Sequence, residues 1–361
     1  FMKPNSFWKH LVSQNLSSYI APSGDNSLHN FAALENVLGC SPKVTAAVKQ
    51  LEVVSLNTYP QTTNQFKKAV ATWLTVDPAM ITLGNGSDEL INLIPQVFVE
   101  PGDVCLVQVP TFFRIIESVN RIKGRVVVVQ ANFGLDKKFV LKLEAEIKKS
   151  NPALIWLCSP NNPTGEVIDL KLIDRIASKT NGLVVVDEAY QEIFDPENKM
   201  SAVKLIKQHP NILVTKTFSK AFGLAGIRVG VAIGDSNVIK SLDKWRLNFP
   251  ISSLSLNIAS SALDDLKFLG KVHVHFEAER QFLFTGIDRL PNLERGGESK
   301  TNVFLLRHTK ERLFDLLLKE KILTADFNMM NGLERKRFVR ITVKSHSENK
   351  LLLKALEKVS R

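Results

Sequence analysis

The chain has 361 residues, of which 44% are hydrophobic and 23% charged, and its formal net charge is +11 at pH 7. These proportions are those of a soluble globular protein and exclude a disordered or fibrous chain. The basic residues are scattered and often stand beside acids, as in Lys142-Leu143-Glu144. We therefore expect a solvated basic surface and no nucleic-acid partner.

The cysteines are three in number and widely spaced, at Cys40, Cys105 and Cys158. Neither a disulfide framework nor a metal site is expected from this spacing, and a reducing compartment fits best. No apolar run approaches the ~18–20 residues that span a bilayer, and the first residues show no continuous apolar signal region. The sequence predicts a cytoplasmic protein without a membrane partner.

Seven short apolar runs alternate with helix-like stretches between residues 81 and 233. Apolar runs without polar alternation are typical of strands covered on both faces, so they predict a mostly parallel sheet between helices, an α/β architecture. The predicted strands are residues 81–83, 104–109, 125–129, 153–157, 183–186, 212–215 and 229–233. The predicted helices between them include residues 88–98 and 168–178.

Beyond residue 235 the pattern becomes helical and then mixed. Helices are predicted at residues 236–245, 254–266, 271–289, 310–319 and 347–359, and strands at 302–306 and 338–343. This pattern predicts a smaller α+β domain. We expect an N-terminal segment (1–45) that packs on the small domain, a large domain (46–250) and a small C-terminal domain (251–361).

Lys220 lies at the end of the apolar run 212–215, with Ser219 before it and Arg228 eight residues after it. A lysine in this setting can hold an aldehyde cofactor as an imine, while the serine and the arginine bind a phosphate. A surface lysine before a glycine-rich turn is the alternative interpretation.

Two further motifs follow predicted strands. Residues 84–88, Gly-Asn-Gly-Ser-Asp, open a helix and could hold a phosphate on backbone N–H groups, or could simply cap the helix. Asp187 emerges from an apolar strand, which is unfavourable unless the carboxylate is paired. A protonated pyridine nitrogen is one suitable partner, and the cap of a following helix is the other.

Three more residues could contact a planar anionic ligand. Phe112 follows a strand and could stack on a ring or pack in the core. Asn162 lies in a proline-rich turn that would hold its amide rigidly. Arg340 interrupts an apolar strand, where it could bind a carboxylate or point into solvent.

In their order along the chain, these motifs resemble the fold-type I aminotransferases that use pyridoxal 5′-phosphate (PLP), and among them the histidinol-phosphate aminotransferase group. The resemblance covers essentially the whole chain. Each motif is weak alone, but the ordered set is specific. The matching segments are residues 34–42, 59–60, 84–88, 110–112, 161–165, 187–190, 217–220, 225–230 and the strand around Arg340.

The resemblance implies PLP as the cofactor and assigns residues to it. Lys220 would be the Schiff-base lysine and proton shuttle, and Asp187 would pair with the pyridine nitrogen. The remaining contacts would be Asn162 and Tyr190 to the phenolic oxygen, Phe112 on the ring, and Ser87, Ser219, Arg228 and the backbone of Asp88 to the phosphate.

By the same resemblance, Tyr59 would reach the cofactor phosphate of a neighbouring subunit, so a homodimer is expected. Arg340, with Asn36 nearby, would bind the substrate carboxylate or its equivalent. The implied reaction moves an amino group between an amino acid or amino-alcohol phosphate and a 2-oxo acid. The expected donor is histidinol phosphate, the expected acceptor is 2-oxoglutarate, and the pathway is histidine biosynthesis.

One departure from the family bears on the substrate. The arginine that binds the substrate phosphate in that group has no counterpart here, where Thr324 and Ala325 stand. Residues 328–333 and Lys344 look more like the threonine-phosphate decarboxylases, so a decarboxylase or an aromatic amino-acid aminotransferase is the alternative. A non-catalytic PLP-binding protein is the alternative from another class.

Overall fold

The computed structural model of the protein describes residues 27–50, 57–61, 63–131 and 133–361. The first 26 residues of the predicted N-terminal segment lie outside the described part. The strands are β1 (His29–Asn30), β2 (Ile81–Asn85), β3 (Val104–Val109), β4 (Arg125–Gln130), β5 (Leu154–Cys158), β6 (Leu183–Asp187), β7 (Ile212–Thr217), β8 (Val229–Gly234), β9 (Leu293–Gly296), β10 (Val303–His308), β11 (Ile322–Leu323), β12 (Ala325–Asp326) and β13 (Val339–Thr342).

The helices alternate with the strands of the large sheet and then surround the smaller one. They are α1 (Pro42–Lys49), α2 (Thr63–Leu74), α3 (Ser87–Phe98), α4 (Phe113–Arg121), α5 (Lys137–Ser150), α6 (Leu170–Ala177), α7 (Gln191–Phe194), α8 (Ser236–Trp245), α9 (Ser253–Leu263), α10 (Lys267–Ile287), α11 (Leu313–Lys319) and α12 (His346–Val359). Within the described ranges, no helix combines the length and apolar character needed to cross a membrane.

The large sheet has seven strands in the order β2-β8-β7-β6-β5-β3-β4. Neighbours from β7 to β4 run parallel, and β8 runs antiparallel to both of its neighbours. The predicted α/β fold with a mostly parallel seven-stranded sheet is therefore confirmed. Its strands begin and end within one to two residues of the predicted bounds.

Both faces of this sheet are covered, which explains the unbroken apolar runs. Successive strand residues enter different cores: in β5, Ile155 packs into one hydrophobic cluster and Trp156 into the other. In β6, Val184 and Val185 divide in the same way. Alternating side chains point to opposite faces of a strand, so each face has its own apolar layer under helices.

A four-stranded antiparallel sheet, β12-β13-β10-β9, forms the smaller part, and β1 pairs in parallel with β11 beside it. The core is continuous from the large sheet to this part, because Phe276 of α10 and Phe304 of β10 belong to the same cluster as Val214 of β7. The domain boundaries at residues 45 and 250 stay a prediction.

Candidate active site

A cavity of about 430 Å³ lies where the carboxyl ends of β5, β6 and β7 approach strand β13 of the small sheet. Parallel strands deliver their following loops to one edge of the sheet, which is where ligands bind in open α/β folds. Ten of the twelve residues predicted for the site line this cavity: Ser87, Asp88, Phe112, Asn162, Asp187, Tyr190, Ser219, Lys220, Arg228 and Arg340.

Lys220 lies in the loop between β7 and β8, with Nζ 5.7 Å from the centroid of the Tyr190 ring. Burial, together with the positive charges of Arg340 and Arg228, lowers the pKa of its ammonium to about 8, against the opposing effect of Glu35 and Asp187. A lower pKa increases the fraction of neutral amine near neutral pH. Only the neutral amine is a nucleophile or a proton acceptor.

Asp187 is the last residue of β6 and is 3% exposed. Burial, together with the charge of Glu188, raises the pKa of its carboxyl to about 6. The Thr215 hydroxyl, the backbone of Ala189 and the charge of Lys220 oppose this rise. The Thr215 hydroxyl donates to Oδ1 over 3.0 Å. Above pH 6 the site therefore holds a buried carboxylate, to which a cationic ring N–H would be a favourable partner.

An anion cradle forms where α3 begins. Its N-cap, Gly86, has φ 75° and provides no side-chain cap, so the first N–H groups of this 12-residue helix are available to a ligand. A Cβ on Gly86 would lie 2.4 Å from Nη2 of Arg228, and the Arg228 guanidinium donates to Ser219 Oγ over 3.4 Å. The start of α3, the Ser219 hydroxyl and the Arg228 guanidinium therefore lie close together and provide the hydrogen-bond donors that a phosphate requires.

Gly230 of β8 allows this cradle to form. A Cβ at Gly230 would lie 2.4 Å from the backbone nitrogen of Ser87. Only glycine, which has a hydrogen in place of Cβ, therefore lets the turn after β2 lie this close to strand β8. Arg228 just before this strand has φ 55° and a left-handed conformation, which directs its side chain toward Gly86.

The loop after β5 is fixed by its own polar side chains. Asn161 Nδ2 donates to the Pro110 carbonyl and to Thr164 Oγ1, both over 3.0 Å. Asn162 Oδ1 accepts from Nη1 of Arg340 over 3.0 Å. The Arg340 side chain is 1% exposed, and Nη2 donates to the Ala32 carbonyl over 2.8 Å. It is therefore a buried cation in the cavity wall, and not a solvated edge arginine.

The structure does not bring Asn36 and Tyr59 to the cavity wall. Asn36 Nδ2 donates to the carbonyl of Ala221 over 2.9 Å, so it contacts the residue that follows Lys220. Tyr59 is 74% exposed and stacks on Phe249 with ring centroids 4.5 Å apart. A substrate contact by either residue stays a prediction.

Sequence reasoning missed one charged residue of the cavity wall. Arg114 donates from Nε to Asp88 over 3.2 Å and from Nη1 to Glu117 over 2.8 Å. The first of these bonds pairs the Asp88 carboxylate with a residue of α4. The only sequence signal was its place two residues after Phe112, which is too general to identify a pairing partner.

The residues present fit PLP. The cavity volume lies within the range of small-molecule sites, roughly 300–1,000 Å³. A cradle for a phosphate, a buried carboxylate for a ring nitrogen, an aromatic face and a lysine of lowered pKa border the same space. Fold and site together define the class, an enzyme that works on amines through a lysine-bound aldehyde cofactor.

The chain belongs to the aminotransferase class I and II family, whose model matches residues 27–359. The chain is 36% identical over 309 residues to the histidinol-phosphate aminotransferase of Thermoanaerobacter pseudethanolicus, covering 84% of this chain and 85% of that one. It is 30% identical over 334 residues to the enzyme of the same name from Methanocaldococcus jannaschii, covering 90% and 87%.

A solved structure agrees with these relatives. Histidinol-phosphate aminotransferase from Sinorhizobium meliloti, in complex with pyridoxal-5′-phosphate, superposes with a TM-score of 0.81 at 26% identity, covering 92% of this chain and 90% of that one. The predicted class is confirmed: this chain is a transaminase of fold type I, and PLP is its cofactor.

Proposed function

We propose that this protein is a histidinol-phosphate aminotransferase, which transfers the amino group of histidinol phosphate to a 2-oxo acid such as 2-oxoglutarate. The relatives from Thermoanaerobacter pseudethanolicus and Methanocaldococcus jannaschii bear this name. The structural observation that carries the proposal is the meeting of the Lys220 amine, the Asp187 carboxylate and the guanidinium groups of Arg228 and Arg340 in one cavity.

When bound, PLP supplies an electron-withdrawing ring that makes the hydrogen on the amine-bearing carbon of the substrate acidic. The carboxylate of Asp187 would hold a proton on the ring nitrogen, and Phe112 would stack on the ring. The other cofactor contacts in this proposal are Asn162 and Tyr190 at the phenolic oxygen, and Ser87, Ser219, Arg228 and the backbone of Asp88 at the phosphate.

Lys220 moves the proton. With a pKa of about 8, its Nζ is partly neutral at physiological pH and can take the proton from the substrate carbon and release it again. Proton transfer is most efficient when the pKa of the catalytic group lies near the working pH. The nearby charges of Arg340 and Arg228 support this role because they disfavour the protonated amine.

Arg340 is proposed to bind the anionic end of the substrate. It is a buried cation in the cavity wall, and the planar fork of a guanidinium binds oxyanions such as carboxylate or phosphate bidentately. Ala325 faces Arg340 across the β12–β13 pair and is itself buried, so that neighbouring position adds no second charge. The substrate phosphate would therefore depend on Arg340 more than it does in relatives with an arginine there.

The test is a comparison of amino donors with purified holoenzyme and 2-oxoglutarate. We expect histidinol phosphate to exceed histidine and phenylalanine in kcat/KM on the order of 10²-fold, because its dianionic phosphate forms stronger charge-assisted hydrogen bonds to Arg340 than a singly charged carboxylate does. A higher kcat/KM for phenylalanine would contradict the proposal. Release of carbon dioxide from threonine phosphate would instead indicate a decarboxylase. Lys220→Ala is the inactive control.

We also propose that the enzyme is a homodimer in which Tyr59 reaches the phosphate cradle of the partner subunit. Four large apolar or aromatic side chains support this, because such exposed groups are usually covered by a partner. They are Tyr59 (74% exposed), Trp245 (63%), Leu247 (72%) and Phe249 (51%).

Mixed dimers test this arrangement. Lys220→Ala subunits are combined with Tyr59→Phe subunits at a PLP concentration that leaves Tyr59→Phe homodimers mostly cofactor-free. If Tyr59 acts across the interface, each hybrid holds one complete site, and an equal mixture recovers about a quarter of wild-type activity. A mixture no more active than its two components would exclude the arrangement, and a monomer in sedimentation would exclude the dimer.

Two further expectations, on the cellular location of the enzyme and on its domain boundaries, also stay proposals. We place the enzyme in the cytoplasm, a placement supported by free thiols at Cys40, Cys105 and Cys158. We also divide the chain into an N-terminal segment, a large domain from residue 46 and a small domain from residue 251. The pairing of β1 with β11 supports the packing of the N-terminal segment on the small domain.

A further inference from the structure

A buried ionic cluster lies beneath the cavity, and none of its members lines that cavity. It is formed by Lys216, Glu188, Glu192 and Asn198. Lys216 Nζ lies 2.7 Å from Glu188 Oε2, 2.8 Å from Glu192 Oε1 and 2.7 Å from Asn198 Oδ1. The side chains of Lys216, Glu188 and Glu192 are each about 1% exposed. A fully buried charge of this kind persists only when it is paired and hydrogen-bonded.

The cluster is anchored to the surrounding backbone. Glu188 accepts from Ser201 Oγ over 2.6 Å and from the Ala202 N–H over 2.5 Å. The Trp73 indole lies 5.8 Å from Lys216 Nζ, and its ring contacts Phe222, two residues after Lys220. The ammonium of this β7 residue is therefore enclosed by groups from the end of β6, from α7, from α2 and from the segment that precedes Ala202.

Two members of the cluster come directly after a pair of neighbouring residues, Asp187 of β6 and Thr215 of β7. Asp187, the last residue of β6, pairs with Thr215 of β7. Glu188 comes directly after β6 and donates its N–H to the Thr215 carbonyl over 2.8 Å, and Lys216 is the next residue of β7. Successive side chains of a strand point to opposite faces. Asp187, which lines the cavity, and Thr215 therefore lie on one side of the sheet, while Glu188 and Lys216 meet on the other side.

The grouping of two carboxylates around one ammonium does not by itself indicate that the cluster stabilises the fold. A buried ion pair often stabilises a fold no better than apolar residues of the same volume. What the pair does provide is a fixed relative position, because charge-assisted hydrogen bonds hold donor and acceptor in one geometry. Here that geometry connects the end of β6, helix α7 after Tyr190, and the strand that leads to Lys220.

We infer that Lys216 is a positioning residue for the transamination site: its bonds to Glu188 and Glu192 fix Asp187 and Tyr190 relative to Lys220. The inference rests on the roles proposed above for Asp187 and Lys220. It assigns to Lys216 no contact with substrate or cofactor.

The test compares Lys216→Met with Lys216→Arg, each loaded with PLP. We expect Lys216→Met to lower kcat about tenfold or more while KM for the amino donor changes less than about threefold, because proton transfer is sensitive to small displacements. The visible circular dichroism of bound PLP should change in the same variant. Lys216→Arg keeps a charged donor and should recover most of both signals.

A second pair of variants applies if Lys216→Met fails to fold. Glu192→Leu removes the α7 partner but leaves Lys216 paired with Glu188, so the buried charges balance. Glu192→Gln keeps an accepting oxygen and is the matched control. We expect Glu192→Leu to lower kcat and to change the circular dichroism, and we expect Glu192→Gln to stay near wild type.

The inference would be overturned if folded, PLP-loaded Lys216→Met, or Glu192→Leu in its place, keeps wild-type kcat and wild-type circular dichroism and loses only thermal stability. This outcome differs from a failure of the proposed function. If wild-type enzyme prefers another donor, the variants are assayed with that donor, and the circular dichroism of bound PLP needs no donor.

Discussion

Arg340 Nη1 donates a hydrogen bond to Asn162 Oδ1 over 3.0 Å, and these two residues are 178 positions apart in the chain. The bond joins strand β13 of the small sheet to the loop after β5 of the large sheet. It also places a buried guanidinium beside the Lys220 amine, whose pKa it lowers more than any other single charge does. Arg340 of the small sheet therefore lowers the pKa of the Lys220 amine, which lies in a loop of the large sheet.

Arg340→Gln should raise the pKa of the Lys220 amine from about 8 toward its ordinary value, because the protonated amine loses a repelling charge. The measurement is the pH dependence of the rate at which apoenzyme takes up PLP, followed by visible absorbance. The midpoint should move to higher pH, so uptake at pH 8 becomes slower. Arg340→Lys keeps the charge and serves as the control. A midpoint that stays or falls would refute the coupling.

Asp187→Asn should stabilise the apoenzyme at pH 8 while abolishing most activity. The pKa of Asp187 is about 6 in the folded protein, against about 3.8 for the ordinary group, so ionisation disfavours the folded state above pH 6. Removing that charge should add up to about 3 kcal/mol to the free energy of unfolding. The gain should shrink as pH falls from 6 toward 4, where the wild-type carboxyl is protonated.

Urea unfolding of both apoenzymes at pH 8 and pH 4 measures this change. The holoenzyme assay should show kcat lower by about 10²-fold or more, because a neutral amide cannot hold a proton on the ring nitrogen. An equally active Asp187→Asn enzyme would contradict the assigned role. An unchanged free energy of unfolding at pH 8 would show that Asp187 is not strained by burial.

Gly230→Ala should weaken PLP binding about tenfold or more, equivalent to about 1.4 kcal/mol. The added Cβ would lie 2.4 Å from the Ser87 nitrogen and would push the start of α3 out of the phosphate cradle. Titration of apoenzyme with PLP gives the dissociation constant. Gly226→Ala is the matched control, since a Cβ there has nothing within 4 Å. Equal affinities in the two variants would exclude the steric argument.

Phe276→Ala should lower the free energy of unfolding by about 3–5 kcal/mol. Phe276 is 0% exposed in α10, inside the core that continues from the large sheet to the small one. Val274 lies two residues away on the same helix and is 66% exposed, so Val274→Ala should change stability by no more than about 0.5 kcal/mol. Denaturant unfolding compares the two. Similar losses would mean that this helix does not join the two cores.

Much of the fold was readable from the sequence because the large sheet is buried on both faces. Strand β5 is an uninterrupted apolar run, and β6 is one up to Asp187, the polar residue that marks its end. The two-residue strands β1 and β11 were missed, since two residues show no periodicity. Their pairing depends on a backbone contact across roughly 290 positions of chain.

The sequence alone determined the class of enzyme and most of the cavity wall. Asp187 ends a strand and Lys220 and Asn162 follow strands, and the carboxyl ends of these parallel strands meet at one edge of the sheet. Their positions in the sequence therefore already predicted that they lie close together. Only the tertiary structure decided what surrounds them. The pKa of Lys220 depends on the distance to Arg340, and the pairing of Lys216 with Glu188 and Glu192 depends on the register of β6 and β7. Coulomb and desolvation energies depend on distance and burial. Neither the distance nor the burial can be read from the order of residues in the sequence.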